Sequence, residues 1–129
     1  MEYSKNRLGA VQFLFSLNFQ ENFDENNLTV FCQNEKLNLS EVKVLVQGTL
    51  TNQPEIDKIA KINLNNVPSW DKMDSVLKSI LRIAIFELNF GAITKKIIIS
   101  EYNKIAASFF GDSEAGLVTA ILNKVVSAP

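Results

Sequence analysis

The stretch from Met73 to Leu88 constrains the fold of this chain more than any other segment. Seven apolar residues in it recur at helical spacing and keep the same phase over four turns. They are Met73, Val76, Leu77, Ile80, Leu81, Ala84 and Leu88. Because Ile83, Ile85 and Phe86 make the other faces apolar as well, the pattern predicts a central helix enclosed by others. Gly91 is expected to end this helix.

Apolar residues at the same spacing predict further helices before it. The first covers about residues 4–20, and another starts at Ser40–Glu41. Pro54 is expected to break that helix and open the next, because proline is well tolerated in a first helical turn. The segment Asn63–Ser69, with two adjacent asparagines and a proline, is predicted to be a loop.

Two segments combine strand-like residues with other signals. Leu28–Cys32 has no partner strand nearby, so we predict a loop or a short helix. Ile97–Ile99 is rich in β-branched residues, but helix is favoured because the apolar spacing continues to Phe109. Gly111 is expected to end that helix, and a last helix follows it. The predicted fold is therefore all-α, with about six or seven helices in a single domain over residues 1–129.

Charge and composition argue against most kinds of reactive site. The 13 basic and 14 acidic residues give a net charge of −1, so any nucleic-acid binding must depend on a local patch. The chain has no histidine, which excludes histidine-dependent triads, and the single Cys32 cannot make a structural zinc site. Asp71 and Asp74 lie one turn apart, but acidic residues at a helix start favour a structural role. We expect no catalytic residue, no metal site and no cofactor.

Two further features bear on location. No run approaches the roughly 18 apolar residues of a membrane span, and the N-terminus lacks the layout of a secretory signal. We therefore expect a cytoplasmic protein that does not interact with membranes.

Several segments resemble one known family. Ile80–Leu88 resembles the signature of the central helix of the NusB family of transcription antitermination factors. Other segments follow in the family's order: Arg7 with Ala10–Phe15, the Gly48 stretch before Pro54, Ser100–Glu101, and Leu117–Lys124. The resemblance covers nearly the whole chain.

The resemblance implies both a fold and a function. The family fold is all-α, with two small helical bundles packed together. Its members bind the boxA element of nascent RNA together with the ribosomal protein NusE. In the transcription elongation complex, RNA polymerase then ignores terminators, which supports ribosomal RNA transcription. This is the work of a binding protein and not of an enzyme.

Six residues are candidates for RNA binding: Lys5, Arg7, Phe15, Arg82, Lys96 and Leu117. Lys5 and Arg7 stand where the family has several arginines that contact phosphates, and the alternative is that they only solubilise a terminal helix. The family usually has tyrosine at the position of Phe15, and often has an aromatic residue at the position of Leu117. Core packing is favoured for Phe15, and a core or rim position for Leu117.

Arg82 and Lys96 have alternatives of their own. Arg82 lies in the apolar central helix, so an ion pair with Glu87 or Glu101 is favoured over a contact with RNA. Lys96 matches a lysine common in the family, although a solvated turn is the default interpretation.

Phe86, Glu87 and Phe90 are expected to face NusE, because an aromatic rim at a helix end is a typical anchor between proteins. One alternative function is a protein-interaction module that binds NusE with little RNA affinity. Another is the NusB-like domain of an RNA cytosine methyltransferase, but the chain has no room for a methyl-donor-binding domain. Whether the protein forms a homodimer without NusE stays open.

Overall fold

Seven α-helices form the computed structural model of this protein, which describes residues 3–19, 23–64 and 69–127. They are α1 (Lys5–Ser16), α2 (Glu25–Glu35), α3 (Leu39–Thr51), α4 (Gln53–Ile62), α5 (Ser75–Phe90), α6 (Lys95–Phe110) and α7 (Asp112–Ser127). Short 3₁₀ turns lie at Leu17–Phe19 and Trp70–Lys72. No strand occurs in these ranges, so the all-α prediction is confirmed.

Side-chain caps fix where several helices begin. Asp74 accepts hydrogen bonds from the backbone N–H groups of Val76 and Leu77, at 2.8 and 3.2 Å, and so starts α5. The structural interpretation of Asp74 is thereby confirmed. The helix α3 begins just before the predicted Ser40, because Asn38 provides the cap by accepting from the N–H of Glu41.

The segment Leu28–Cys32 lies within a helix, in agreement with the second of its two predicted alternatives. The side chain of Asp24 caps the start of α2, and Lys36 ends it in the left-handed conformation with φ 58°. The first helix ends at Ser16 and is shorter than predicted, since the chain tightens there into a 3₁₀ turn. Residue 20 and residues 65–68 of the predicted loop lie outside the described ranges.

The helices pack as two bundles that meet on α5. The helices α1, α2 and α3 contact one another, α5 and α7 contact each other and both α4 and α6, and α6 packs on α7. The helix α5 also packs against α1 and α3. Ile80, Leu81, Ile83 and Ile85 are completely buried, as the apolar pattern around that helix predicted. Gly48 allows α3 to approach α5 closely, because a Cβ atom there would lie 2.1 Å from the Phe86 ring. The enclosed central helix therefore holds both bundles together.

Candidate RNA and protein interfaces

Arg7 joins three helices through a charged network at the junction of the bundles. Its Nε and Nη2 atoms donate to the two carboxylate oxygens of Glu87 on α5, at 2.7 and 3.0 Å. Its Nη1 donates to Glu101 on α6 at 2.9 Å. The same Glu101 oxygen accepts from the backbone N–H of Ser4 at 2.8 Å, which ties the start of α1 to α6. With all three nitrogens engaged and the side chain 15% exposed, Arg7 has the geometry of a structural cation.

Tyr102 on α6 is the fourth member of this network and lies on its buried side. Its hydroxyl donates to Glu87 Oε2 at 2.5 Å, and the side chain is fully buried. Burial and the negative charge of Glu87 raise the pKa of Tyr102 well above its ordinary value, so this hydroxyl stays protonated at neutral pH. The hydrogen bond to Glu87 is the main reason that the pKa of Arg7 is raised. In the part of the chain that the structure describes, every buried side-chain nitrogen and oxygen has a hydrogen-bond partner.

Arg82 forms an ion pair, as favoured from the sequence, but the predicted partners are wrong. Its Nε and Nη2 atoms donate to Asp57 on α4 at 2.8 and 3.0 Å, and its guanidinium lies 5.4 Å from the centre of the Trp70 ring. Arg82 therefore points from α5 toward α4, away from Glu87 and Glu101. The latter two carboxylates are bound by Arg7, which is 80 residues away from Glu87 in the sequence.

The other RNA-binding candidates differ in exposure. Lys5 and Lys96 are exposed, at the starts of α1 and α6. Leu117 is partly buried and packs against the core, as the rim interpretation predicted. Phe15 is also partly buried. The two lysines are therefore the members of the set whose charges face solvent.

The three residues predicted to face a protein partner do not share one environment. Glu87 is 7% exposed and belongs to the buried network, and Phe86 is 9% exposed against α3. Phe90 is 55% exposed and stacks on Phe86, with ring centres 5.4 Å apart. Only Phe90 offers most of its side chain to a partner, because the last turn of α5 leaves the core there.

Phe90 is one of several exposed apolar residues in this region. Ile93 and Ile97 follow it at 48% and 53% exposed, and Val44 on α3 is 61% exposed. Val44 and Ile93 line one cleft of about 540 Å³, together with Arg7, Glu41 and Glu87 among others. We call Val44, Phe90, Ile93 and Ile97 the apolar cluster. Val44 and Ile93 lie in this cleft, Phe90 lies in the last turn of α5, and Ile97 lies in the first turn of α6.

Sequence reasoning missed two grooves along α6, which are lined by polar side chains together with Ile97 and Ile99. Lys96 and Ser100 line both of them, each about 370 Å³. One groove continues to Glu101 and Lys104, and the other crosses to Thr119 and Asn123 on α7. The spacing of four between Lys96, Ser100 and Lys104 was a signal in the sequence, because residues four apart share a helix face.

Residues 3–19, 23–64 and 69–127 contain neither a cluster suited to a metal ion nor a helix suited to a membrane. No group of three or more histidine, cysteine, aspartate or glutamate side chains is placed to hold a metal ion. No described helix is long and apolar enough to cross a membrane.

The fold and these surfaces define a class of helical double-bundle proteins whose exposed features are charged grooves and an apolar cluster. Comparison with known proteins specifies the class, since the NusB family model matches residues 4–127. The chain belongs to the NusB family.

Individual relatives agree with this assignment. The transcription antitermination protein NusB of Rickettsia typhi is 31% identical, over 92% of this chain and 87% of the relative. The NusB protein of Ligilactobacillus salivarius is 34% identical, over 91% and 92%. Among solved structures, Thermotoga maritima NusB superposes with a TM-score of 0.84 at 22% identity, covering 98% of this chain and 94% of that one. NusB in a complex with NusE and double-stranded RNA also gives 0.84, at 17% identity, covering 96% and 95%. These structural likenesses show the two-bundle fold.

Proposed function

We propose that this protein is a transcription antitermination factor that binds boxA-type RNA together with NusE. In this role it joins the transcription elongation complex and supports antitermination and ribosomal RNA transcription by RNA polymerase. Family membership and the names of its relatives support the proposal. So does a solved NusB structure that contains both NusE and RNA. The role is that of a cytoplasmic, non-enzymatic protein.

The observation that carries the proposal is the meeting of two unlike surfaces at the start of α6. Lys96 lies at one end of the α6 grooves, and its neighbour Ile97 belongs to the apolar cluster. Exposed apolar side chains rimmed by polar residues are typical of protein interfaces, and exposed lysines suit phosphates. A protein and an RNA bound here would be adjacent, which suits a factor that binds both at once.

The test is assembly of the ternary complex from purified components. The protein, NusE and a boxA-type RNA are mixed at near-physiological salt and separated on native gels. We expect one species that contains all three. Absence of that species at micromolar concentrations would remove the proposed function.

A matched pair of variants tests the protein side of the complex. Phe90→Ala removes an exposed ring from the apolar cluster, and Phe109→Ala removes a 41% exposed ring near the other end of α6. We expect Phe90→Ala to weaken NusE binding about tenfold or more, as for an aromatic anchor residue, and Phe109→Ala to leave it unchanged. Equal effects of the two would place NusE elsewhere on the protein.

A second candidate function is a NusE-binding module with little RNA affinity. The sequestered Arg7 and the net charge of −1 favour it, because both reduce the positive charge available to phosphates. Its signature would be a stable complex with NusE and no boxA binding even at low salt.

A further inference from the structure

We propose that the exposed face of α6 that carries Lys96, Ser100 and Lys104 is a track for the RNA phosphate backbone. Thr119 and Asn123 of α7 form its polar edge. The inference rests on the proposed function and specifies where the RNA runs. Lys104 is the residue of this face that sequence reasoning had left without a role.

The geometry of α6 makes this face continuous. Lys96 and Lys104 are two helical turns apart, about 12 Å along the axis at 1.5 Å per residue. Ser100 lies between them, and the two grooves share Lys96 and Ser100. A chain bound along the face would meet a cation, a hydroxyl and a second cation in turn.

The lysines of this face are free to bind an anion. Within the described residues, neither Lys96 nor Lys104 has a carboxylate oxygen within 4.0 Å. Arg7 and Arg82 differ from them, because each is bound to acidic side chains. A lysine without a carboxylate partner keeps its full charge available for phosphate.

The one acidic residue that lines these grooves, Glu101, is paired with Arg7, which it shares with Glu87. Its Oε1 atom accepts from Arg7 and from the backbone N–H of Ser4, which ties this carboxylate to α1. The same contact brings the exposed Lys5 next to α6. Lys5, Lys96 and Lys104 supply three positive charges, against one net negative charge from Arg7 with Glu87 and Glu101. The surface should therefore attract a polyanion.

The lining favours a nucleic-acid backbone over an acidic protein segment. Ser100, Thr119 and Asn123 can hydrogen-bond to phosphate oxygens and to ribose 2′-hydroxyls. Of the exposed apolar residues that a protein would bury, Val44, Phe90 and Ile93 line neither groove, and Ile97 lines the groove that holds Lys104. The surfaces for the two kinds of partner therefore adjoin at Ile97.

The experiment is a salt titration of RNA binding. A labelled single-stranded boxA-type RNA is titrated with the full chain at saturating NusE, from about 50 to 200 mM salt. The variants are Lys104→Ala and Lys96→Ala/Lys104→Ala, with Lys104→Gln to keep the partly buried stem of that side chain. The control is Lys58→Ala/Lys61→Ala, which removes two exposed lysines from α4.

We expect each lysine of the track to contribute about 0.7 to the slope of log affinity against log salt. The double variant should lose about 1.4 from that slope and bind more weakly at low salt, while the α4 control matches the native chain. Circular dichroism melts check that all variants are folded.

Three results would overturn the inference. If the native chain binds RNA and the double variant has the same slope and affinity, the RNA runs elsewhere and the proposed function stands. If the double variant loses NusE binding in the absence of RNA, the face is a protein interface. If the native chain with NusE binds no RNA at 50 mM salt, the proposed function fails as well.

Discussion

The junction of the bundles holds three charged side chains that are nearly buried, and such side chains are rarely buried unless they are paired. They are Arg7, Glu87 and Glu101, and Tyr102 lies beside them. One guanidinium serves two carboxylates, and the Tyr102 hydroxyl supplies the remaining donor to Glu87. Burying an unpaired carboxylate costs several kcal/mol, so the network stabilises the fold only while it is complete. Its helices come from both bundles, and breaking it should loosen the junction between them.

Removing the Arg7 side chain should be more harmful than removing the whole ion pair. Arg7→Leu leaves Glu87 buried without a cation, and we expect the free energy of unfolding to fall by about 3–5 kcal/mol. Arg7→Leu/Glu87→Gln removes both charges and should lose less than the sum of the single variants. Urea denaturation of Arg7→Leu, Glu87→Gln, the double variant and the native chain measures the coupling energy between the two side chains. Simple additivity would show that the pair is not a unit.

Raising the pH should remove the stability that Tyr102 supplies. Its pKa is raised above the ordinary value of 10.0, so the folded chain holds this proton more tightly than the unfolded chain does. The contribution is complete below pH 10 and is lost above it, by about 1.4 kcal/mol per pH unit.

The matched variant is Tyr102→Phe, which keeps the ring and lacks the hydroxyl. At pH 8 we expect it to be about 1.5–3 kcal/mol less stable than the native chain, as for a hydrogen bond to a charged group. The difference should shrink between about pH 10 and 11. Urea denaturation at several pH values measures this. Parallel curves for the two proteins would contradict the assignment.

For these charged residues, the sequence predicted that an ion pair would form but not which residues would form it. An ion pair for Arg82 was predictable, since a guanidinium within an apolar helix needs a partner. The identity of that partner was not, because it depends on which helices cross. Arg82 turns toward α4 and Asp57, and Glu87 and Glu101 receive a cation from α1.

At the scale of whole helices, periodicity and punctuation predicted most of the fold. The enclosed α5, the entry at Pro54 and the stops at Gly91 and Gly111 all agree with the structure. For α2 the sequence left a choice between a loop and a short helix, because Leu28–Cys32 contains residues that are common in strands. Its helical state is stabilised by the Asp24 cap and by burial of Leu28 and Cys32 against the rest of the core, and such packing overrides a weak propensity.

Substitution by alanine should change the free energy of unfolding in opposite directions at two helical glycines. At Gly48 a Cβ atom would lie 2.1–2.9 Å from the buried Phe86 ring, so α3 or the ring must shift. Overpacking costs about 1–3 kcal/mol, and the better helix propensity of alanine returns about 1 kcal/mol, so we expect Gly48→Ala to be destabilised overall. At Gly116 in α7 nothing lies within 4 Å of the added atom.

Gly116→Ala should therefore gain up to about 1 kcal/mol from helix propensity alone. Thermal melts of both variants beside the native chain test the pair. A stabilised Gly48→Ala would mean that the close approach of α3 and α5 is not required.

In the whole molecule, α5 is enclosed by the two bundles, and the two proposed binding surfaces lie around its last turn and along α6. The all-α fold was accessible from apolar spacing, and the family with its two bundles was accessible from the resemblance of several segments in the family's order. The groove between α6 and α7 was not, since Lys96 and Ser100 come together with Thr119 and Asn123 only when α6 packs on α7. From the sequence, Phe86, Glu87 and Phe90 were equally good candidates for a protein interface. The packing of the helices buries Phe86 and Glu87 and leaves Phe90 exposed.

The most direct test of the account is the affinity of boxA-type RNA for the protein, measured with and without saturating NusE at one fixed salt concentration. Because the two proposed surfaces meet at Lys96 and Ile97, we expect NusE to tighten RNA binding. By thermodynamic linkage, RNA must tighten NusE binding by the same factor. An RNA affinity that NusE leaves unchanged, or no RNA binding in either condition, would contradict it.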